Sequence, residues 1–334
     1  MLDPKTVIQV IENALPFLGP YFADDAVTEI MINPGGDVFI EKSGIMSLAK
    51  DVEVEEFDLV IALKACAALN DAQAIVGTKS AIVNGAYGGM RVAGGLALSP
   101  DGSHLNIRKH LSPEKRPTLE QLIEWGALTN EQSNSILHHY IEVDEPLNIL
   151  IVGATGSGKT TYANALLKKI PKHQRVVTIE DVEELSTGLP NLLRVISKPD
   201  KDPEKSILAS DLVKGALRWS PTRIIVGETR GNETFDAIRA FNSGHFGSLL
   251  TAHASSARDG LGAIEMLYQM SLPGNSSIST EVVRTYISKA INMVIYVDRR
   301  YSLLEDGSQK SIRKIREIVL VKGVKDGEYV LENC

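Results

Sequence analysis

The chain has 334 residues, 43% hydrophobic and 23% charged, with a formal net charge of −7. That length exceeds what one hydrophobic core usually accommodates, so an internal boundary is expected, and the composition leaves little room for a long disordered tail. The acidic balance excludes wholesale non-specific nucleic-acid binding, which needs a clustered basic field, while a local basic groove stays open.

Two cysteines, Cys66 and Cys334, exclude a disulfide framework or a thiolate metal site and suit a reducing compartment. The opening, with Asp3, Lys5, Glu12, Asn13 and Pro16, is not a signal peptide, and no apolar run reaches about 18 residues. The expectation is a cytoplasmic chain that neither spans nor crosses a membrane by itself.

In chain order, Val7, Ile8, Ile11, Leu15 and Leu18 recur at helical spacing. They predict an amphipathic helix that packs on a core in preference to a membrane or a partner, because its polar face is not lysine-rich. Val27 to Asn33, Val38 to Lys42 and Ile45 to Leu48 read as strands of an antiparallel meander, divided by the turn signals Pro34-Gly35-Gly36-Asp37 and Ser43-Gly44. Glu56 to Leu69 reads as a helix. Ala81 to Tyr87, Met90 to Ala93 and His104 to Arg108 return to strand character around glycine-rich turns. Between Lys109 and Arg116 the chain turns polar and proline-bearing. The boundaries expected are a small α+β domain over 1–112, a linker at 113–117 and a second domain over 118–334.

Thr118, with Gln121 three residues on, is an N-cap signal for a short helical stretch. Then the rhythm changes. Leu147 to Val152, Arg175 to Ile179, Arg223 to Val226 and Ser248 to Thr251 are compact apolar runs separated by helical segments, the pattern of a mostly parallel, doubly wound sheet.

Directly after the first of these runs comes Gly153-Ala154-Thr155-Gly156-Ser157-Gly158-Lys159-Thr160, an unbroken G-x-x-x-x-G-K-T between a strand and a helix. Glycines there let the backbone curl its N–H groups around a phosphate, and the helix start points its positive dipole end at the same anion. The candidate ATP contacts are those eight residues and Thr161. Lys159 would bridge the β- and γ-phosphates, and Thr160 would offer its hydroxyl to Mg²⁺.

Ligands of open α/β sheets sit beyond the carboxyl ends of the strands. Here Val176 to Ile179 runs into Glu180-Asp181, Ile224 to Gly227 into Glu228, and Leu249 to Ala252 into His253. Singly, Glu228 could cap a helix, Glu180 could sit in a solvated turn and His253 could be a satisfied core histidine. Three such residues beside a phosphate loop point instead to phosphoryl chemistry. Glu228 is the candidate metal ligand and water activator, with Glu180 beside metal and water. Arginines that neutralise γ-phosphate charge are sought in Arg230, Arg218, Arg91 and Arg108, the last two in the first domain, where closure would bring them onto the nucleotide.

With these residues in view, the sequence resembles the secretion-superfamily traffic ATPases, and within them the type IV secretion and conjugative-transfer branch. Thr178-Ile179-Glu180-Asp181 with Glu184-Leu185 is similar to the family's acidic box, Ile225 to Gly231 to its Walker B segment, and Gly244 to Ala254 to its histidine box. Val27 to Pro34 and Ile107-Arg108-Lys109 resemble that branch as well. Pro221-Thr222 replaces the usual Pro-Asp, and Val182 and Glu183 vary the acidic box. The chain lacks the four cysteines of the zinc module common in type II relatives.

The resemblance implies an α/β fold: a RecA-like P-loop NTPase domain with a parallel sheet, preceded by the smaller α+β domain. It implies Mg²⁺-dependent ATP hydrolysis in a homo-hexameric ring, peripheral at the inner face of the inner membrane, working with secretion-channel or pilus-assembly proteins. His253 would sense the γ-phosphate, and Arg91 and Arg108 would be contributed by the N-terminal domain. A type IV pilus or type II secretion motor, a nucleic-acid motor and a non-hydrolysing nucleotide-gated scaffold stay open as alternatives, as does direct DNA binding.

Overall fold

The computed structural model describes residues 4–50, 52–69, 72–87, 90–185, 188–200, 202–272, 278–305 and 308–334. The chain forms two compact units, one of Met1–Lys115 with Tyr301–Ile312, the other of Arg116–Arg300 with Arg313–Cys334. The Gly88-Gly89 turn expected between two strands lies outside the described residues.

In the first unit, helices α1 (Pro4–Ala14), α2 (Gly19–Ala23) and α3 (Glu56–Ala68) accompany strands β1 (Val27–Ile32), β2 (Val38–Lys42), β3 (Ile45–Leu48), β4 (Ile82–Tyr87), β5 (Met90–Ser99) and β6 (Gly102–Lys109). The strands pair antiparallel in the order β4-β5-β6-β1-β2-β3. Residues 309 and 310 then pair antiparallel with the outer side of β3. Ile11, Leu15 and Leu18 are buried with Leu59, Ala62, Leu63 and Cys66 of α3, whose i, i+3, i+4, i+7 spacing makes one apolar stripe. Core packing is thus what the N-terminal periodicity encodes. Burial pushes the Cys66 thiol up to about 12, so it behaves as a small hydrophobe.

The second unit contains α4 (Leu119–Glu124), α5 (Asn130–Leu137), β7 (Ile149–Val152), α6 (Lys159–Leu167), β8 (Val176–Glu180), β9 (Leu192–Ile196), α7 (Ala209–Ala216), β10 (Arg223–Val226), α8 (Glu233–Phe241), β11 (Leu249–Ala252), α9 (Ala257–Met270) and α10 (Thr280–Ala290). Strands β12 (Met293–Leu303), β13 (Gln309–Lys325) and β14 (Glu328–Asn333) follow. Thr118 caps α4 and Thr129 caps α5, each in a reciprocal pair with a glutamine three residues on.

Strands β9, β8, β10, β11, β7 and β12 lie side by side, all parallel. Beyond them β13 adjoins β12, and β14 pairs antiparallel with β13. Because successive side chains leave a strand on opposite faces, Ile149 and Ile151 enter one core with α4, α5 and α6, while Leu150 and Val152 enter the other with α7 to α10. Both faces are covered, which is why these strands are continuously apolar. The mixed α/β architecture with a parallel sheet is therefore present. At the amino ends of the strands, buried Arg223 stacks on the Tyr140 ring and donates to Gln174, to the Tyr140 carbonyl and to the Gly247 carbonyl.

Candidate nucleotide site

The strand order decides which side chains meet. β7 carries the phosphate loop at its carboxyl end, β10 carries Glu228, and β11 lies between them and carries His253. The register sets Leu250 beside both Leu150 and Val226, so the three strands end near one level. Thr251 Oγ1 donates to the Gly227 carbonyl at 2.6 Å and Thr229 N donates to the Thr251 carbonyl at 2.8 Å. These bonds lock the exits of β10 and β11 together and turn Glu228 and His253 toward each other.

The loop itself needs its glycines. A Cβ on Gly153 would lie 2.3 Å from the Val297 carbonyl oxygen, and Gly156 and Gly158 adopt φ of +71° and +100°. Gly158 leads directly into α6, whose first-turn N–H groups have no partner within the helix. Ser157 Oγ is buried with no hydrogen-bond partner, as a group serving an incoming polar ligand would be. Residues Gly153 to Thr161 form one continuous segment on this loop and the start of α6, as the motif requires.

Lys159, 7% exposed, donates to the Gly153 carbonyl at 2.9 Å and the Ala154 carbonyl at 3.2 Å, and its Nζ lies 3.3 Å from His253 Nδ1. An ammonium has only donors, so His253 Nδ1 accepts, and in the neutral ring the proton sits on Nε2. Nε2 faces Glu228 Oε1, and the other Glu228 oxygen pairs with Arg230. Lys159, His253, Glu228 and Arg230 therefore form one unbroken polar chain across three strand ends. Glu233 accepts from the backbone N–H groups of Arg230 and Gly231 and fixes that turn.

The acidic box divides its labour. Glu180 is 4% exposed; its Oε1 accepts from the backbone N–H of Glu184 at 2.9 Å and of Leu185 at 2.8 Å, and its Oε2 is buried without a hydrogen-bond partner. Burial, assisted by the Glu184 charge and opposed by those N–H groups and Arg116, pushes its carboxyl up to about 7. Glu184, four residues on, accepts from the Thr160 hydroxyl at 3.0 Å. Asp181 accepts from Ser197 Oγ.

Glu184 belongs to the acidic box, but reasoning from strand ends gives it no role. Its signal was the carboxylate one turn past the strand end. Arg299 and Arg313 were missed as well. Arg313 Nε donates to the Gly156 carbonyl at 2.8 Å, and a Cβ on Gly156 would lie 2.6 Å from Arg299 Nη1. No local pattern connects residues about 150 positions apart.

The second unit thus groups Gly153 to Thr161, Glu180, Glu228, Arg230 and His253. Arg218, in the turn after α7, donates to the Lys214 carbonyl on that helix. Arg91, exposed on β5, and Arg108, ion-paired with Glu29 on β1, belong to the first unit.

A divalent cation bound here would meet the Thr160 hydroxyl and the Glu184 carboxylate. Among the described residues no cluster of three or more His, Cys, Asp or Glu could hold a metal. That donor set fits Mg²⁺, which takes one or two carboxylates and completes its shell with phosphate oxygens and water.

A family model described as "Type II/IV secretion system protein" matches residues 90–304. The chain is 29% identical over 316 residues to "Conjugal transfer protein TrbB" of Rhizobium radiobacter, covering 93% of this chain and 88% of that protein. It is 28% identical to "Type IV secretion system protein VirB11" of Brucella abortus, covering 89% and 87%. In fold it is similar to the Legionella pneumophila ATPase DotB, with a TM-score of 0.57 at 19% identity over 96% of this chain and 81% of that one.

Proposed function

The chain belongs to the type II/IV secretion system protein family, and from that premise we propose that its site hydrolyses ATP with Mg²⁺ and powers type IV secretion. The observation that carries this reading is the polar chain from Lys159 through His253 to Glu228 across the ends of β7, β11 and β10. A loop that only binds phosphate needs no carboxylate and imidazole linked to its lysine.

In the proposed cycle, the triphosphate enters the loop's N–H groups, and Lys159 turns from the Gly153 and Ala154 carbonyls to the β- and γ-phosphate oxygens. The His253 Nε2–H can serve the Glu228 carboxylate or a γ-phosphate oxygen, so the presence of the terminal phosphate is communicated to Glu228. Glu228 orients the attacking water and takes its proton as oxygen bonds to phosphorus and the bond to ADP breaks. Arg230, released from Glu228, offsets charge on the phosphoryl group in transfer. The Thr160 hydroxyl and the carboxylates of Glu184 and Glu228 would hold Mg²⁺, which would supply positive charge to offset that of the phosphate oxygens. Glu180 supports the site by holding the backbone of Glu184.

The larger assembly is proposed by extension from the family. The chain would form a homo-hexamer that acts with inner-membrane secretion-channel or pilus-assembly proteins, its RecA-like domain carrying the site. Among the described residues no helix is long and apolar enough to cross a membrane, and the attachment proposed is peripheral, at the cytoplasmic face.

Steady-state phosphate release from purified protein tests the reaction. Turnover should fall to background in excess EDTA and return when Mg²⁺ is restored. Release that is unaffected by chelation, or absent under both conditions, would count against it.

A further inference from the structure

Asn164 lies one helical turn after Thr160 on α6 and is 3% exposed. Its side-chain amide bridges two segments. Nδ2 donates to the Thr160 carbonyl at 2.9 Å and to the Glu184 carbonyl at 3.0 Å, and Oδ1 accepts from Arg116 Nη1 at 3.2 Å. Because Arg116 can only donate, the amide orientation is fixed: reversing it would set N–H against guanidinium and oxygen against two carbonyls. Arg116 is itself held, its carbonyl accepting from Lys168 Nζ at 2.7 Å. The Arg116 guanidinium also feels the charges of Glu180, Glu184 and Glu183.

Two anchors therefore fix the Glu184 backbone. Glu180 Oε1 holds its N–H and Asn164 Nδ2 holds its carbonyl. Between them they set where the Glu184 carboxylate meets the Thr160 hydroxyl. Thr160 is gripped from both sides as well, its carbonyl by Asn164 and its hydroxyl by Glu184.

We propose that Asn164 is a positioning residue of the nucleotide site, which fixes the separation of the Thr160 hydroxyl and the Glu184 carboxylate and so sets affinity for the divalent cation that accompanies the nucleotide. This rests on the reading that the corner formed by Thr160 and Glu184 takes that cation. Groups that orient metal ligands from outside the coordination shell typically change metal affinity by about 10–100-fold when removed.

The test is fluorescence titration of mant-ATP onto the full chain, in EDTA and at increasing Mg²⁺, for the parent, Asn164→Ala, Asn164→Asp and Glu184→Gln. Asn164→Asp keeps the size and the Arg116 pairing but faces two carbonyls with a carboxylate oxygen. Mant-ATP affinity in EDTA, which needs only the phosphate loop, shows whether each variant is folded. The expected result is affinity in EDTA within about twofold of the parent for both Asn164 variants, with the half-saturating Mg²⁺ concentration raised about tenfold or more. Should Asn164→Ala fail to bind in EDTA, Asn164→Asp carries the comparison alone. If Glu184→Gln raises the Mg²⁺ requirement and the folded Asn164 variants do not, the positioning role is overturned. If Glu184→Gln leaves it unchanged as well, the assignment of the cation corner falls first.

Discussion

Glu228→Gln should leave nucleotide binding within a few-fold of the parent and lower steady-state phosphate release by about 10²–10⁴-fold, the usual contribution of a general base. The substitution keeps the shape of the side chain and one oxygen that can accept from His253 Nε2–H. It removes the capacity to take a proton, and it removes the charge that pairs with Arg230. Its effect should therefore fall on kcat and not on binding. Paired measurements of phosphate release and mant-ATP affinity decide the matter: parental turnover in the variant would show that the base lies elsewhere, and loss of both together would make Glu228 a residue of binding or folding.

Lys159→Ala should do the opposite, weakening nucleotide binding and turnover together. An ammonium shared between two phosphates makes charge-assisted hydrogen bonds of about 1.5–3 kcal/mol each, so a loss of ~10–100-fold in affinity is expected from one of them alone. The ground state also suffers, because Lys159 satisfies the Gly153 and Ala154 carbonyls and His253 Nδ1. Lys159→Arg is no remedy, since a planar guanidinium cannot place its donors in the pocket that the ammonium fills at 7% exposure. Isothermal titration with ATP checks this result, and affinity equal to the parent's would remove Lys159 from the site.

The features that were legible in the sequence are those carried by short, local patterns. The phosphate loop is contiguous, and the residues after β10 and β11 follow directly from uninterrupted apolar runs, so Glu228 and His253 could be named without knowing the strand order. The order supplies what the sequence could not: β11 separates β7 from β10, which puts His253 between Lys159 and Glu228. Glu180 and Glu184 show the limit of reasoning from strand ends. Glu180 is the last residue of β8 and stays inside the sheet, whereas Glu184 lies beyond the turn and reaches Thr160 on α6.

The C-terminal strands went unread for a different reason. In β13, Ile312, Ile315 and Ile318 recur every third residue among arginines and lysines, a spacing closer to a helix than to the alternation of a half-buried strand. Membership of the sheet, where β13 lies beside β12, overrides that pattern. The short edge strand β9 does carry an apolar run, Leu192-Leu193-Arg194-Val195-Ile196, although the sheet only half-buries it. Arg299 and Arg313 reach the phosphate loop only through these C-terminal strands, so they were beyond a local reading.

The decisive measurement is a structure of the protein with Mg²⁺ and a non-hydrolysable ATP analogue. The γ-phosphate should lie within hydrogen-bonding distance of Lys159 Nζ and His253, with Glu228 facing the in-line water position and the Thr160 hydroxyl on the cation. A nucleotide bound away from the Gly153 to Thr161 segment, or a γ-phosphate remote from both Glu228 and His253, would contradict it.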